Sequence, residues 1–271
     1  MGWRVLIFER TRVRSLFLIA AIREAINRLL PVANVGGEFV GIRLLSREEV
    51  GAATATSSVI VEMLLNLVAQ YLFFELGLAL LLHITGSVQG KGALLIVFVG
   101  PLPLLALFFW LLYSGALFRT LEKLGARMLN PKPTQFGSLS KLIQLDIVIR
   151  RLASAHGRLA LGTLWQLAGL IVGCSETWLA LSWLGHPVSL PAALAIESFT
   201  QAARSLIFFA PAGLGVQEAG LIGVGHLLGL GSDVAIALSL AKRMREILFG
   251  LPALAVWQLI AHRSNLDLSP S

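Results

Sequence analysis

PAGLGVQEAG, running from Pro211 to Gly220, is a glycine-broken turn that carries a glutamate between stretches apolar enough to lie in a lipid bilayer. Near the N-terminus, PVANVGGE from Pro31 to Glu38 has the same build: a proline, two glycines, and a glutamate seven residues after the proline. Arginine precedes both copies, as Arg23 and Arg28 in the first and Arg204 in the second. Hydrophobic segments interrupted by glycine or proline at corresponding places in the two halves of a membrane protein point to a binding site at a repeat interface.

Working outward, the 271 residues are 56% hydrophobic and 14% charged, with a mean hydropathy of +0.79. A soluble domain carries roughly 25% charged residues, so the composition is that of an integral membrane protein. The net charge of +7 sits in short stretches beside apolar segments, where positive-inside bias accounts for it. No basic patch interleaved with aromatics is present, and no nucleic acid is expected as a partner. Cys174 is the single cysteine, which rules out an intrachain disulfide and a thiolate metal site. The five histidines lack ligand spacing, and no metal or cofactor is expected. HExxH, P-loop and GxSxG patterns are missing, so no catalytic residue is assigned and a transporter is favoured over an enzyme.

Segments of spanning length run over Ala52–Leu82, Ala93–Tyr113, Leu159–Leu184 and Val234–His262, the last interrupted by Lys242, Arg243, Arg245, Glu246 and Pro252. Two shorter apolar stretches between Leu190 and Leu230 form either two crossings or a re-entrant hairpin. Ser15–Leu45 reads as a re-entrant or surface-lying helix followed by the GGE turn, because Arg23, Glu24, Asn27 and Arg28 interrupt its apolar stretch. The basic segment 114–158 is placed in the cytoplasm, which puts the C-terminus there as well and brings the two glycine turns in from opposite faces. The expectation is an all-α integral membrane protein, a single polytopic domain over 1–271. It has about six transmembrane or re-entrant helical elements arranged as an inverted repeat. One spanning helix upstream of the chain is expected to be lacking.

Charges inside apolar segments are costly and mark candidate sites. Glu38, Arg204, Gly213, Gly215, Glu218 and Arg243 are the proposed substrate-binding or translocation residues, with Glu62, Glu197, Gly37 and Arg43 in support. Arginine suits a planar anion such as a lipid phosphate, and glutamate either pairs with it or carries a proton. Arg204 is expected to meet Glu218 or a bound anionic headgroup, and Glu38 and Glu218 to share one site. The glycines either break helices around a cavity or let helices pack closely.

GLGVQEAG after FFAP, the upstream ESFTQAARS with Glu197 and Arg204, and LLPVANVGGE followed by Arg43 together resemble the lysylphosphatidylglycerol synthase-type transmembrane (flippase-like) family. The resemblance is nearest to its hopanoid-biosynthesis-associated bacterial members. It implies a multi-pass protein of the bacterial inner membrane that moves lipid between leaflets, with membrane lipids and lipid-biosynthesis enzymes as partners. The soluble aminoacyl-transferase domain of some relatives has no counterpart in these residues. A lipid-modifying enzyme and a partner subunit without its own site are the alternative readings.

Overall fold

The computed structural model describes residues 2–7, 11–30, 36–48, 50–86, 147–149, 151–206 and 215–266. The expected span Ala93–Tyr113, most of the 114–158 segment, Pro31, Pro211 and Gly213 lie outside the described residues. Helices α1 (Gly2–Leu6), α2 (Val13–Leu29), α3 (Gly36–Leu45) and α4 (Ala52–Thr85) come first. After the central gap follow α5 (His156–Trp183), α6 (Leu190–Leu206), α7 (Val216–Leu227) and α8 (Ser232–Leu266). Among the described residues there is no strand.

Local chemistry explains the boundaries. Leu30, extended at ψ 145°, precedes Pro31, and proline disfavours helix in the residue before it. Gly86 ends α4 in the left-handed conformation, φ 63°, with its N–H bonded to the Leu82 carbonyl, the usual glycine stop. α4 and α8 are 34 and 35 residues long, and at ~1.5 Å per residue each exceeds the ~30 Å apolar slab of a bilayer. Helices over Ala52–Thr85, His156–Trp183 and Ser232–His262 are long and apolar enough to cross a membrane. Phe17, Val172, Trp183 and Phe249 stand exposed on the outside, as lipid-facing side chains do. The charges of α8 do not break it, because Lys242 to Glu246 continue a single helix through Pro252.

The elements fall into two runs of matching order. α2, α3 and α4 have 17, 10 and 34 residues, and α6, α7 and α8 have 17, 12 and 35. Each run is a helical hairpin followed by one long helix. The runs also exchange packing: the most extensive packing of α4 is on α6, and that of α2 is on α8. One apolar cluster joins Ile19, Ile22 and Ile26 of α2 to Leu44 and Leu45 of α3. A second joins Ile196 of α6, Leu221 and Val224 of α7 and Leu238 of α8.

Glycines set the closest approaches. A Cβ on Gly37 would lie 2.3 Å from the Arg23 carbonyl oxygen, and one on Gly41 would lie 2.4 Å from Arg23 Cδ, so α3 seats its glycine edge directly on α2. Gly77 of α4 meets Ser198 of α6 in the same way, and Gly250 of α8 meets Leu29 of α2. Such small-residue seams replace the hydrophobic drive that lipid does not supply. Gly37 therefore follows the close-packing reading. Gly215, at φ 81°, turns the chain into α7.

Gly37→Ala is expected to lower stability by about 1–3 kcal/mol, since the backbone oxygen it would strike cannot rotate away. Gly169→Ala, with nothing among the described residues within 4 Å of the new methyl, should leave stability unchanged or raised. Thermal unfolding of the detergent-solubilised protein reads both.

Candidate functional site

On α2, Arg23, Glu24, Asn27 and Arg28 share one face by helical spacing, with Arg23 at its edge beside Ile19 and Ile26 of the apolar cluster. Arg23 is almost fully buried. Its Nη1 donates to Glu62 Oε2 of α4 at 2.6 Å, its Nη2 pairs with Glu38 of α3, and its guanidinium lies 4.5 Å from the centre of the Trp3 ring. Asn27 completes the group. Its Nδ2 donates to Glu38 Oε1 at 3.3 Å, and its Oδ1 accepts the Gly37 N–H at 2.9 Å, satisfying a donor that the first turn of α3 leaves open.

The second run builds a related arrangement. Arg204 of α6 donates through one nitrogen, Nη1, to Gln217 Oε1 of α7 at 2.9 Å and to Glu246 Oε1 of α8 at 3.1 Å. The arginine and the long-helix glutamate are 39 residues apart in the first run and 42 in the second. Glu246, with a side chain only 4% exposed, also lies 3.6 Å from Arg28 and 3.8 Å from Arg243. One carboxylate thus gathers arginines from α2, α6 and α8.

Glu218 turns elsewhere. Its Oε2 accepts the Gly215 N–H at 2.8 Å, and its Oε1 accepts the Ser239 hydroxyl at 2.9 Å and lies 3.6 Å from Arg243. The positive end of α7 is therefore met by a carboxylate of its own first turn. Deeper in the protein, Lys242 Nζ donates to Glu197 Oε2 at 2.5 Å, and the Thr177 hydroxyl donates to the same oxygen at 2.6 Å.

Between the two hairpins lies a cavity of about 530 Å³. Its wall takes Arg23, Asn27 and Arg28 from α2, Glu38 from α3, Glu62, Asn66 and Gln70 from α4, and Gln201, Arg204 and Ser205 from α6. The lining is polarised: Arg28 and Arg204 give it a cationic part, and Glu38 and Glu62 an anionic part. Among the described residues Arg204 spends only Nη1 on protein partners, and its side chain lines the cavity. Such a lining can bind an anion by paired guanidinium donors.

Of the expected site residues, Glu38, Glu62 and Arg204 line the cavity, and Gly37 packs directly behind it. Glu218, Gly215, Arg243 and Glu197 are not among the described lining residues, and Arg43 is exposed on α3. The expected Arg204–Glu218 pair is replaced by Arg204–Glu246 and Arg243–Glu218, because Glu218 is drawn back to its own helix start. Glu38 lines the cavity, and Glu218 is not among its described lining residues.

Sequence reasoning passed over Glu246 as a site residue and gave Arg23 and Arg28 no role beyond preceding the turn. The signal was a four-residue polar spacing: Glu62, Asn66 and Gln70 on α4, Glu197, Gln201 and Ser205 on α6, and Lys242 and Glu246 on α8. A family model for the lysylphosphatidylglycerol synthase TM region matches residues 1–253. The chain belongs to this family. It is accordingly a multi-pass membrane protein of lipid metabolism or transport. No curated protein and no solved structure matches it.

In this family member the buried Lys242–Glu197 pair gives a direct test of how the polar layer is held. Lys242→Met strands a carboxylate among apolar helices and should destabilise by about 3–5 kcal/mol. Adding Glu197→Gln removes the stranded charge and should restore most of the loss. Detergent unfolding temperatures of the single and double variants check this.

Proposed function

We propose that this chain is a flippase-like lipid translocase in which the cavity between the two hairpins receives a phospholipid headgroup, with Arg28 and Arg204 taking its phosphate. One observation carries the reading. A polar cavity is walled at once by both hairpins and by a helix long enough to span the bilayer, which is where inverted-repeat transporters place their substrates. The acyl chains would remain among the exposed apolar side chains of the outer helix faces. Membership of a family described by a phospholipid-linked name supports a lipid over a soluble anion.

The same proposal places the protein in a bacterial inner membrane with its C-terminus in the cytoplasm, on the strength of the positive-inside distribution of Lys and Arg. A link to hopanoid or modified-phospholipid metabolism, and contact with lipid-biosynthesis enzymes, follow from sequence resemblance to relatives.

Reconstitution in liposomes with headgroup-labelled phosphatidylglycerol tests it: leaflet exchange without covalent change is expected, whereas a new lipid product by mass spectrometry would indicate an enzyme. Arg204→Ala should slow exchange by at least about tenfold, or ~1.4 kcal/mol. Arg204→Lys should also be impaired, because an ammonium cannot hold Gln217 and Glu246 and still present a planar fork. Arg43→Ala, at an exposed position off the cavity, should exchange normally. Full exchange by Arg204→Ala would remove the headgroup assignment.

A further inference from the structure

The described ion pairs around the cavity balance everywhere but at Arg23. Arg28, Arg204 and Arg243 stand among Glu24, Glu218 and Glu246, and Lys242 stands against Glu197. Among the described residues, Arg23 alone has two carboxylates that no other cation shares, Glu38 and Glu62, and both line the cavity. Neither hairpin turn, 31–35 or 207–214, carries a charged residue in its sequence. α1 offers this corner the neutral Trp3, and α5 offers the neutral Gln166. The cations from α2 and α6 that share the cavity, Arg28 and Arg204, already divide Glu24 and Glu246 between them.

The two carboxylates are not equivalent. Glu38 is enclosed, with Arg23 on one oxygen and Asn27 on the other. Glu62 gives only Oε2 to Arg23, and its Oε1 has no hydrogen bond among the described residues. Arg23 gives Nη1 to Glu62 and Nη2 to Glu38, and its buried Nε has no acceptor among the described residues. An arriving phosphate would add another negative charge to the same cavity, and that arrangement calls for a compensating cation.

We propose that Glu62, within the Arg23–Glu38–Glu62 cluster, takes up a proton on Oε1 when an anionic headgroup enters, so that lipid movement is coupled to proton movement. This rests on the headgroup reading above. The proton comes from water on the side where the headgroup enters and leaves to water on the side where it exits. A singly charged phospholipid and its proton then cross together with no net charge. A proton suits the cluster better than a metal ion, since no group of three or more His, Cys, Asp or Glu side chains among the described residues is placed to hold one.

The test uses the whole chain in liposomes containing labelled phosphatidylglycerol, with the membrane potential clamped to zero. A pH gradient should drive the label to an unequal steady-state distribution between leaflets, approaching about tenfold per pH unit for one proton per lipid. A sodium gradient of the same size should have no effect. Glu62→Gln retains an oxygen for Arg23 but cannot ionise, and its label should distribute evenly however fast or slowly it moves. Proton uptake on adding dihexanoyl phosphatidylglycerol to detergent-solubilised protein, followed with a pH indicator, reads the same property without turnover. It should approach about one proton per chain and vanish in Glu62→Gln.

Fast exchange that stays even under the pH gradient, with no proton uptake, would overturn the coupling and leave the headgroup reading standing. A distribution that follows sodium would replace the proton by a metal cation and overturn the proposal. Neither exchange nor binding of the short-chain lipid would remove the headgroup reading, and this proposal with it.

Discussion

A charged side chain midway along a membrane helix must find a partner of opposite charge or water, and that requirement organises the interior of this protein. Glu246 meets it most economically, lying within ion-pair distance of Arg28, Arg204 and Arg243. Removing two ions from water costs about what their attraction returns, so such a centre adds little net stability. Its contribution is registry. Arginines on α2 and α6, one from each hairpin, share a carboxylate on α8, and the hairpins are thereby set at a common depth.

Apolar packing acts on a different scale. Each hairpin has its own apolar cluster, and glycines bring α3 onto the backbone of α2, and α8 and α4 onto side chains of α2 and α6. At Gly37 the seam leaves no room for an extra atom. The polar layer between the hairpins is made of side-chain ion pairs instead, and these can exchange partners without a backbone shift. The cavity therefore lies along the boundary with the most adaptable contacts, a suitable place for a headgroup that must enter and leave.

The two runs are alike in element order and length, yet their polar centres differ. In the first, the turn glutamate Glu38 joins Glu62 on the same arginine. In the second, Glu218 caps its own helix and faces Arg243, and Gln217 takes the place beside Arg204. α8 carries Lys242 and Arg243 where α4, four and three residues before Glu62, has the uncharged Ser58 and Val59. Those extra cations draw away Glu218 and Glu197, and the surplus negative charge is left on the first run.

The sequence by itself determined the membrane class, the described long helices and the presence of intramembrane charges, whereas Gly36 and Gly37 of the expected GGE turn lie inside α3. Composition and periodicity are local properties, and a run of apolar residues needs no partner to declare itself. Family resemblance through the GLGVQEAG and LLPVANVGGE elements was likewise legible. The tertiary structure alone decided which carboxylate meets which arginine. Arg204 could be expected near Glu218 because both flank one turn, but its partner Glu246 is 42 residues away and arrives only when α8 packs against the hairpins. The same packing gathers Arg23, Glu38 and Glu62 from three helices into one wall, because ion pairing depends on distances of a few ångströms that chain spacing does not set.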